Sequence, residues 1–338
     1  MTFPRAAPLP PFPNGWYVVA FSHELRPGAV RSLRFMGEER VLFRTAGGEA
    51  CVMDAYCPHL GAHLGHGGRI EGESLRCPFH GFHYDVQGRC VSTPYGKRIP
   101  SQARVPVLPL RETHGLILAF HDAQGRAPAW EVPALDEAGW STLLTTATTL
   151  RGHPQETTEN SVDVGHFGVV HGYGGVETLK EARVEGPYLN ARYAMVHGKT
   201  FLGRRVRAEF EVHVHGLGYS FVEATVPGLG LSLRHFVLAT PTDGENIVLR
   251  LALSLHGDTR PGRIHPLLGL LPRALVNRVV ARKAFAGFTR DARQDFVIWQ
   301  HKRYVQPPIL AEGDGPLARY RQWARQFYPG AEAVSARA

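Results

Sequence analysis

The chain has 338 residues, 43% of them hydrophobic and 20% charged, which is long enough for two domains and apolar enough for packed cores, so extensive disorder is excluded. Its net charge of +8 does not by itself imply nucleic acid, because Lys and Arg are dispersed and form no basic tail. An acidic protein partner or an anionic lipid surface matches that charge better.

The first residues, 1–14, are proline-rich and lack the zones of a signal peptide. No apolar run reaches the roughly 20 residues of a transmembrane helix. Four cysteines are few for a disulfide scaffold and suit metal-binding thiolates in a reducing compartment. A cytoplasmic protein is the expectation.

From Gly15 to about His121, short apolar runs alternate with glycine, proline and charged turns. Trp16–Ala20, Arg40–Arg44, Ala50–Asp54 and Gly115–Phe120 read as strands of a small all-β domain with long loops. The segment Asp122–Ala134, with a glycine and two prolines, is the candidate boundary, giving domains at 15–128 and 129–338. Beyond it, Leu143–Leu150 reads as a strand and Gln155–Val170 as helical. In Arg207–His215, Phe210, Val212 and Val214 alternate with charged and histidine positions. In Asn246–His256, five aliphatic residues from Ile247 to Leu255 fall on one face. Alternation of that length predicts antiparallel sheet with one buried side. Pro272–His301 and Leu317–Phe327 return to helical spacing. The whole is an α+β chain, an all-β domain followed by an antiparallel sheet with helices on one face.

Two short motifs carry chemistry in the first domain. Cys57-Pro-His59 and Cys77-Pro-Phe-His80 each pair a thiolate with an imidazole, and residues 60–76 separate them. A Rieske [2Fe–2S] centre needs that inventory, because two histidines replace two cysteines on one iron. Neutral imidazoles leave the cluster less negative and raise its reduction potential. A structural zinc site is the competing reading, but in zinc fingers the histidines follow the cysteines as a pair. Cys51 and Cys90 lack ligand spacing and read as small buried hydrophobes. His63, His66 and His83 read as loop structure or as hydrogen-bonding neighbours of the cluster.

In the second domain, Asn160, Asp163 and His166 are three apart and share a helical face. His171 lies about 140° from His166 on a regular helix, so both reach one metal only if the helix ends, bends or bulges near Gly168. Two histidines need a carboxylate to complete the facial triad of a non-haem iron(II) site. Asp295, just before an apolar stretch, is the choice for that ligand. Asp291, one turn earlier, competes, and periodicity does not separate the two.

At these residues the chain resembles the Rieske non-haem iron oxygenases over nearly its whole length. Within them it is most similar to the steroid-directed branch of 3-ketosteroid 9α-hydroxylase oxygenase components and cholesterol 7-desaturases. Arg76–Asp85, His153–Asn160, Ile298–Lys302, Glu312–Pro316 and Gln326–Tyr328 carry the likeness. The resemblance implies a Rieske domain followed by a helix-grip (START-like) catalytic domain, assembled as a homotrimer. It implies a [2Fe–2S] cluster on Cys57, His59, Cys77 and His80, and a mononuclear iron on His166, His171 and Asp295. Asp163 would link one subunit's cluster to its neighbour's iron. The implied reaction uses O2 and electrons from NAD(P)H, delivered by a reductase with or without a ferredoxin, to hydroxylate, desaturate or oxidise a methyl group of a sterol or steroid. A non-steroid aromatic or polycyclic substrate is the alternative within the family. Outside it stand an electron-carrying ferredoxin and a lipid-binding carrier. The animal cholesterol desaturases carry a membrane span that this chain lacks, so a soluble or peripherally bound protein is expected. The segment Arg263–Lys283, leucine-rich and basic, reads either as a helix packed on the sheet or as a membrane-facing entrance.

Overall fold

The computed structural model describes residues 8–96, 98–197 and 206–330. Ten strands form the N-terminal region: β1 (Gly15–Phe21), β2 (Val30–Phe35), β3 (Glu38–Arg44), β4 (Ala50–Asp54), β5 (Arg69–Glu71), β6 (Ser74–Arg76), β7 (His83–Tyr84), β8 (Cys90–Ser92), β9 (Leu110–Thr113) and β10 (Leu116–His121). They make three small antiparallel sheets, in the orders β1-β10-β9, β2-β3-β4 and β5-β6-β7-β8. All four strands expected from sequence are present. The shorter ones, of two to four residues, carry too little alternation to be read.

The C-terminal region is built on one seven-stranded antiparallel sheet. Its strands are β11 (Leu144–Arg151), β12 (Tyr173–Glu185), β13 (Tyr188–His197), β14 (Arg207–His215), β15 (Tyr219–Val226), β16 (Leu231–Pro241) and β17 (Asn246–Leu255). The order is β11-β17-β16-β15-β14-β13-β12, so the first two strands of the domain lie at opposite edges. Between them the chain must cross the sheet, and it does so with helices α1 (Pro154–Glu159) and α2 (Val164–Val169). After β17 come the short α3 (Pro261–Ile264), the 29-residue α4 (Arg273–His301) and α5 (Leu317–Ala324). Helix α4 packs along β11 and β17 and is gripped by the sheet. The expected aliphatic stripe of β17 is buried throughout, from Ile247 to Leu255.

The helix expected over Gln155–Val170 is two helices. Asp163, at φ −77° and ψ 94°, leaves helical space between them, so Asn160 and His166 do not share one regular helical face. The break is enforced from outside: the Val164 N–H donates to the Asp314 carbonyl (3.1 Å), and Gly315 packs so tightly on the Val162 carbonyl that a Cβ would collide with it.

The sheet's other face carries the N-terminal region. Trp16, Phe21 and Phe120 share one core with Tyr219, Phe221 and Phe236, and Trp130 and Leu135 of the linker pack against it. Burying each such aromatic contributes roughly 1.5–3 kcal/mol. A bulge in β1 at Val19 frees backbone carbonyls, and the buried Arg250 guanidinium donates to those of Val18 and Val19 (2.7 and 2.6 Å). Thus the segment expected as a boundary is a packed strap rather than a free linker.

Candidate active site

The two Cys-Pro loops are folded alike. In the first, Cys57 N–H donates to Ala62 O and Gly61 N–H to Cys57 O; in the second, Cys77 N–H donates to Phe82 O and Gly81 N–H to Cys77 O. Each turn closes on a glycine at φ near +70°, where a side chain would be strained. Cys57 and Cys77 lie buried at the base, while His59 is exposed and His80 half-buried at the tip, their rings 4.6 Å apart. Among the described residues these four donors do not converge on one point, as a single zinc would require. Two buried sulfurs below two neighbouring imidazoles fit a two-iron cluster ligated unevenly.

Phe82 stacks on His59 at 4.6 Å and 7°, which holds that ring in place. Tyr84 Oη lies 3.0 Å from Cys57 Sγ. Burial pushes the Cys57 thiol up, partly offset by this hydrogen bond, and burial also raises the Tyr84 phenol, which therefore stays protonated. Sequence reasoning missed Tyr84. Its signal was the Phe82-His83-Tyr84 alternation, which turns residues 82 and 84 to the same side. A donor to a cluster sulfur stabilises the reduced, more negative state. Tyr84→Phe is expected to lower the cluster potential by roughly 20–60 mV, the equivalent of about 0.5–1.5 kcal/mol for one hydrogen bond. Voltammetry checks this, and an unchanged potential would show that the phenol does not touch the cluster. His63, by contrast, serves its own loop by accepting from Gly65 N–H (3.1 Å). Cys51 is buried as expected, but Cys90 is only half-buried, because its short strand lies at the edge of its sheet.

The second constellation sits over the sheet between α2 and α4. His166, His171 and Asp295 bring one donor atom each within 4.8 Å of one another, the only such group of three among the described residues. The helix ends at Val169, and just beyond it the His171 ring lies 5.1 Å from that of His166. This is the irregularity the spacing predicts.

Both imidazoles are oriented through Nδ1. His166 Nδ1 donates to the Asp163 backbone carbonyl (2.5 Å), and His171 Nδ1 donates to Gln294 Oε1 (2.9 Å). Both acceptors lack a proton, so each ring donates from Nδ1 and turns Nε2 toward the site. His171 Nε2 lies 3.5 Å from Asp295 Oδ2. Asp295 is buried on α4, whereas Asp291 turns toward Tyr173, whose hydroxyl donates to it (3.4 Å). Two neutral imidazoles and one carboxylate on one side of a pocket fit a non-haem iron. Gln294 was missed, because its role appears only when the chain end of α2 meets α4.

Burial lowers the His171 pKa, but hydrogen bonds to Asp295 and Gln294 outweigh burial and raise it. Proton and metal compete for Nε2. Iron retention is therefore expected to fall as pH drops through that raised value. Chelator-challenged iron content between about pH 5 and 8 checks it, and a flat profile would remove His171 from the site.

Asp163 caps α2, its Oδ1 accepting from His166 N–H (3.2 Å), while Oδ1 stands 3.8 Å from His166 Nδ1. The Asp163 backbone carbonyl, rather than its carboxylate, takes the hydrogen bond of His166 Nδ1. Burial raises the Asp163 carboxyl, but His166 holds it below the usual range, so it stays ionised.

The segments that looked alike to a family in sequence converge on this frame. Arg321 bridges Glu159 bidentately (2.6 and 2.9 Å), Lys302 reaches Glu156 (3.4 Å), and Tyr328 Oη donates to Gln155 Oε1 (2.7 Å). Above the three donors lies a cavity of about 180 Å³, walled by Tyr193, Met195, Phe210, Val222, Leu251 and Phe288 among others.

Comparison with known proteins follows this geometry. The family model described as Rieske [2Fe-2S] domain matches residues 15–108, and that described as 3-ketosteroid 9alpha-hydroxylase C-terminal domain matches residues 119–328. The chain is 31% identical to cholesterol 7-desaturase nvd of Bombyx mori, covering 94% of this chain and 70% of that one. It is 26% identical to a 3-ketosteroid-9-alpha-monooxygenase oxygenase component of Rhodococcus rhodochrous, covering 96% and 86%. Among solved structures, Pseudomonas putida CBB5 NdmA with caffeine matches with TM-score 0.70 at 18% identity, covering 95% and 91%. Dicamba monooxygenase bound to dicamba matches with TM-score 0.65 at 20% identity, covering 96% and 98%. At such identities these two establish the fold alone.

Proposed function

Because this chain belongs to the Rieske non-haem iron oxygenases, in the branch that carries the 3-ketosteroid 9α-hydroxylase C-terminal domain, we propose that it oxidises a sterol or steroid as the oxygenase component of a multicomponent system. It is an oxidoreductase whose cofactors are a Rieske [2Fe–2S] cluster and a mononuclear iron, which rules out the carrier and ferredoxin readings. Electrons would come from NAD(P)H through a separate reductase. None of the described helices is long and apolar enough to cross a membrane. A cytoplasmic site of action fits the free thiols.

The observation that carries the substrate reading is the match of residues 119–328 to the 3-ketosteroid 9alpha-hydroxylase C-terminal domain, and a chiefly apolar cavity opening onto the three converging donors supports it. In this reading Cys57, His59, Cys77 and His80 hold the cluster, and His166, His171 and Asp295 hold the iron. When bound, the iron supplies dioxygen activation and the cluster supplies its electrons. The residues do the rest. The Nδ1 bonds fix both imidazoles, the apolar walls exclude water, and the cavity decides which carbon faces the metal. In the proposed trimer Asp163, with Oδ2 unengaged among the described residues, receives a neighbour's cluster histidine. The division into a cluster domain, 15–128, and an iron domain, 129–338, belongs to the same reading.

The test is a single turnover. Protein loaded with three irons per chain, reduced and given O2, is mixed with a 3-ketosteroid, with cholesterol, and with a small aromatic acid. Oxidised steroid or sterol identified by mass spectrometry is the expected result. Product from the aromatic acid alone would overturn the substrate class.

A further inference from the structure

Residues 257–290 hold seven Lys and Arg and one acid, Asp258, so this tenth of the chain carries six of its eight excess positive charges. Arg260, Arg263, Arg273, Arg278, Arg282, Lys283 and Arg290 are all exposed. The segment is also oily on the outside. Leu267 is 65% exposed, Leu270 82% and Leu275 52%. Its inner face packs on the sheet, where Ile264, Leu268 and Ala281 join one apolar cluster. The reading of a segment packed on the sheet thus holds for the inner face, and the outer face is left to solvent.

Between α3 and the start of α4 lies a groove lined by Arg260, Arg263, Arg273 and Leu271. Arg273 is fixed by donating to the backbone carbonyls of Gly257 and Thr259, and Asp258, whose backbone N–H donates to His256 Nδ1, is the one acid that also lines the groove among the described residues. Among the described residues no carboxylate pairs with any of the three arginines. The groove also faces the first turn of a 29-residue helix, whose N–H groups add positive potential. Cationic side chains beside exposed leucines match a phospholipid surface, with phosphates in the groove and leucines below them.

We propose that this face docks on an anionic bilayer, with Arg260, Arg263 and Arg273 taking lipid phosphate and Leu267, Leu270 and Leu275 entering the interface. Phe210 and Phe288 belong both to the apolar cluster under this segment and to the cavity wall. The segment and the cavity thus share one apolar cluster. The docking itself does not rest on the substrate reading, since it is measured without substrate.

The cluster-loaded full chain is sedimented with vesicles of phosphatidylcholine alone and with vesicles containing phosphatidylglycerol. Binding to the anionic vesicles only, weakened by salt, is expected. Arg260→Gln with Arg263→Gln should reduce that binding roughly 25-fold, at about fivefold per cation near the surface. Cluster absorption reports that the fold is kept. As a second measurement, Leu270→Trp, at an exposed position, should show blue-shifted emission on the anionic vesicles. Equal binding to both vesicle types, variants that bind like the parent, or unshifted emission would overturn the proposal. A change of oligomeric mass on replacing Leu270 would overturn it too, assigning the face to a second copy of the chain.

Discussion

Replacing Asp295 by alanine is expected to reduce turnover below about 1% and to weaken retention of the mononuclear iron at least ~100-fold, about 2.8 kcal/mol. The carboxylate is buried, with Oδ2 3.5 Å from His171 Nε2, and it is the only acid among the described residues whose oxygen converges with both histidine donors. If the proposed site holds iron, loss of this carboxylate would remove one of three ligands and the negative charge among them. No nearby acid takes its place, because Asp291 is held by the Tyr173 hydroxyl. Asp291→Ala should therefore keep its iron and stay within roughly tenfold of parental turnover, an effect of cavity shape. Iron content per chain after desalting, with the cluster quantified separately by its absorption, distinguishes the two. The reverse ranking would move the ligand one helical turn toward the N-terminus.

Asp163→Asn is expected to leave iron content near three per chain and yet slow oxidation of the reduced cluster by the catalytic centre, by roughly 10–100-fold. That range corresponds to about 1.5–3 kcal/mol for one hydrogen bond made by a charged group. The structure separates the two effects. His166 is oriented by the Asp163 backbone carbonyl, which asparagine keeps, and asparagine caps a helix about as well as aspartate. What changes is the charge of a carboxylate whose Oδ2 has no partner among the described residues and, in the proposed trimer, would meet a neighbour. His166→Ala gives the contrasting result, with the iron lost and the cluster spectrum intact. Stopped-flow oxidation of the reduced protein, with substrate and O2 present, reads the difference. A parental rate for Asp163→Asn would end the bridging role, and loss of iron from it would make Asp163 a support for the metal site instead.

The cluster motif was legible because a Rieske site is local. Each loop carries its own cysteine, histidine, proline and closing glycine within five residues, and the loop hydrogen bonds reach no further than the residue after that glycine. The long strands were legible for a related reason. Five aliphatic positions from Ile247 to Leu255 record one buried face in a single stretch of sequence. The helix over residues 155–170 misled, because its break is imposed from 150 residues away. The Asp314 carbonyl takes the Val164 N–H, and Gly315 alone leaves room for the Val162 carbonyl. Local propensity contains no trace of that contact.

The sequence by itself determined the family, the donor chemistry of both metal sites and the need for an irregular turn between His166 and His171, since residue type and short spacing carry all three. The tertiary structure brought Asp295, and not Asp291, together with both histidines, supplied Gln294 and Tyr84, and gave the His166 Nδ1 bond to the Asp163 carbonyl. Those outcomes depend on how α2 meets α4, and how Tyr84 meets the first cluster loop. The physical reason is that helical periodicity puts both aspartates on neighbouring faces of α4, so only the packing of that helix against the sheet decides which one turns inward.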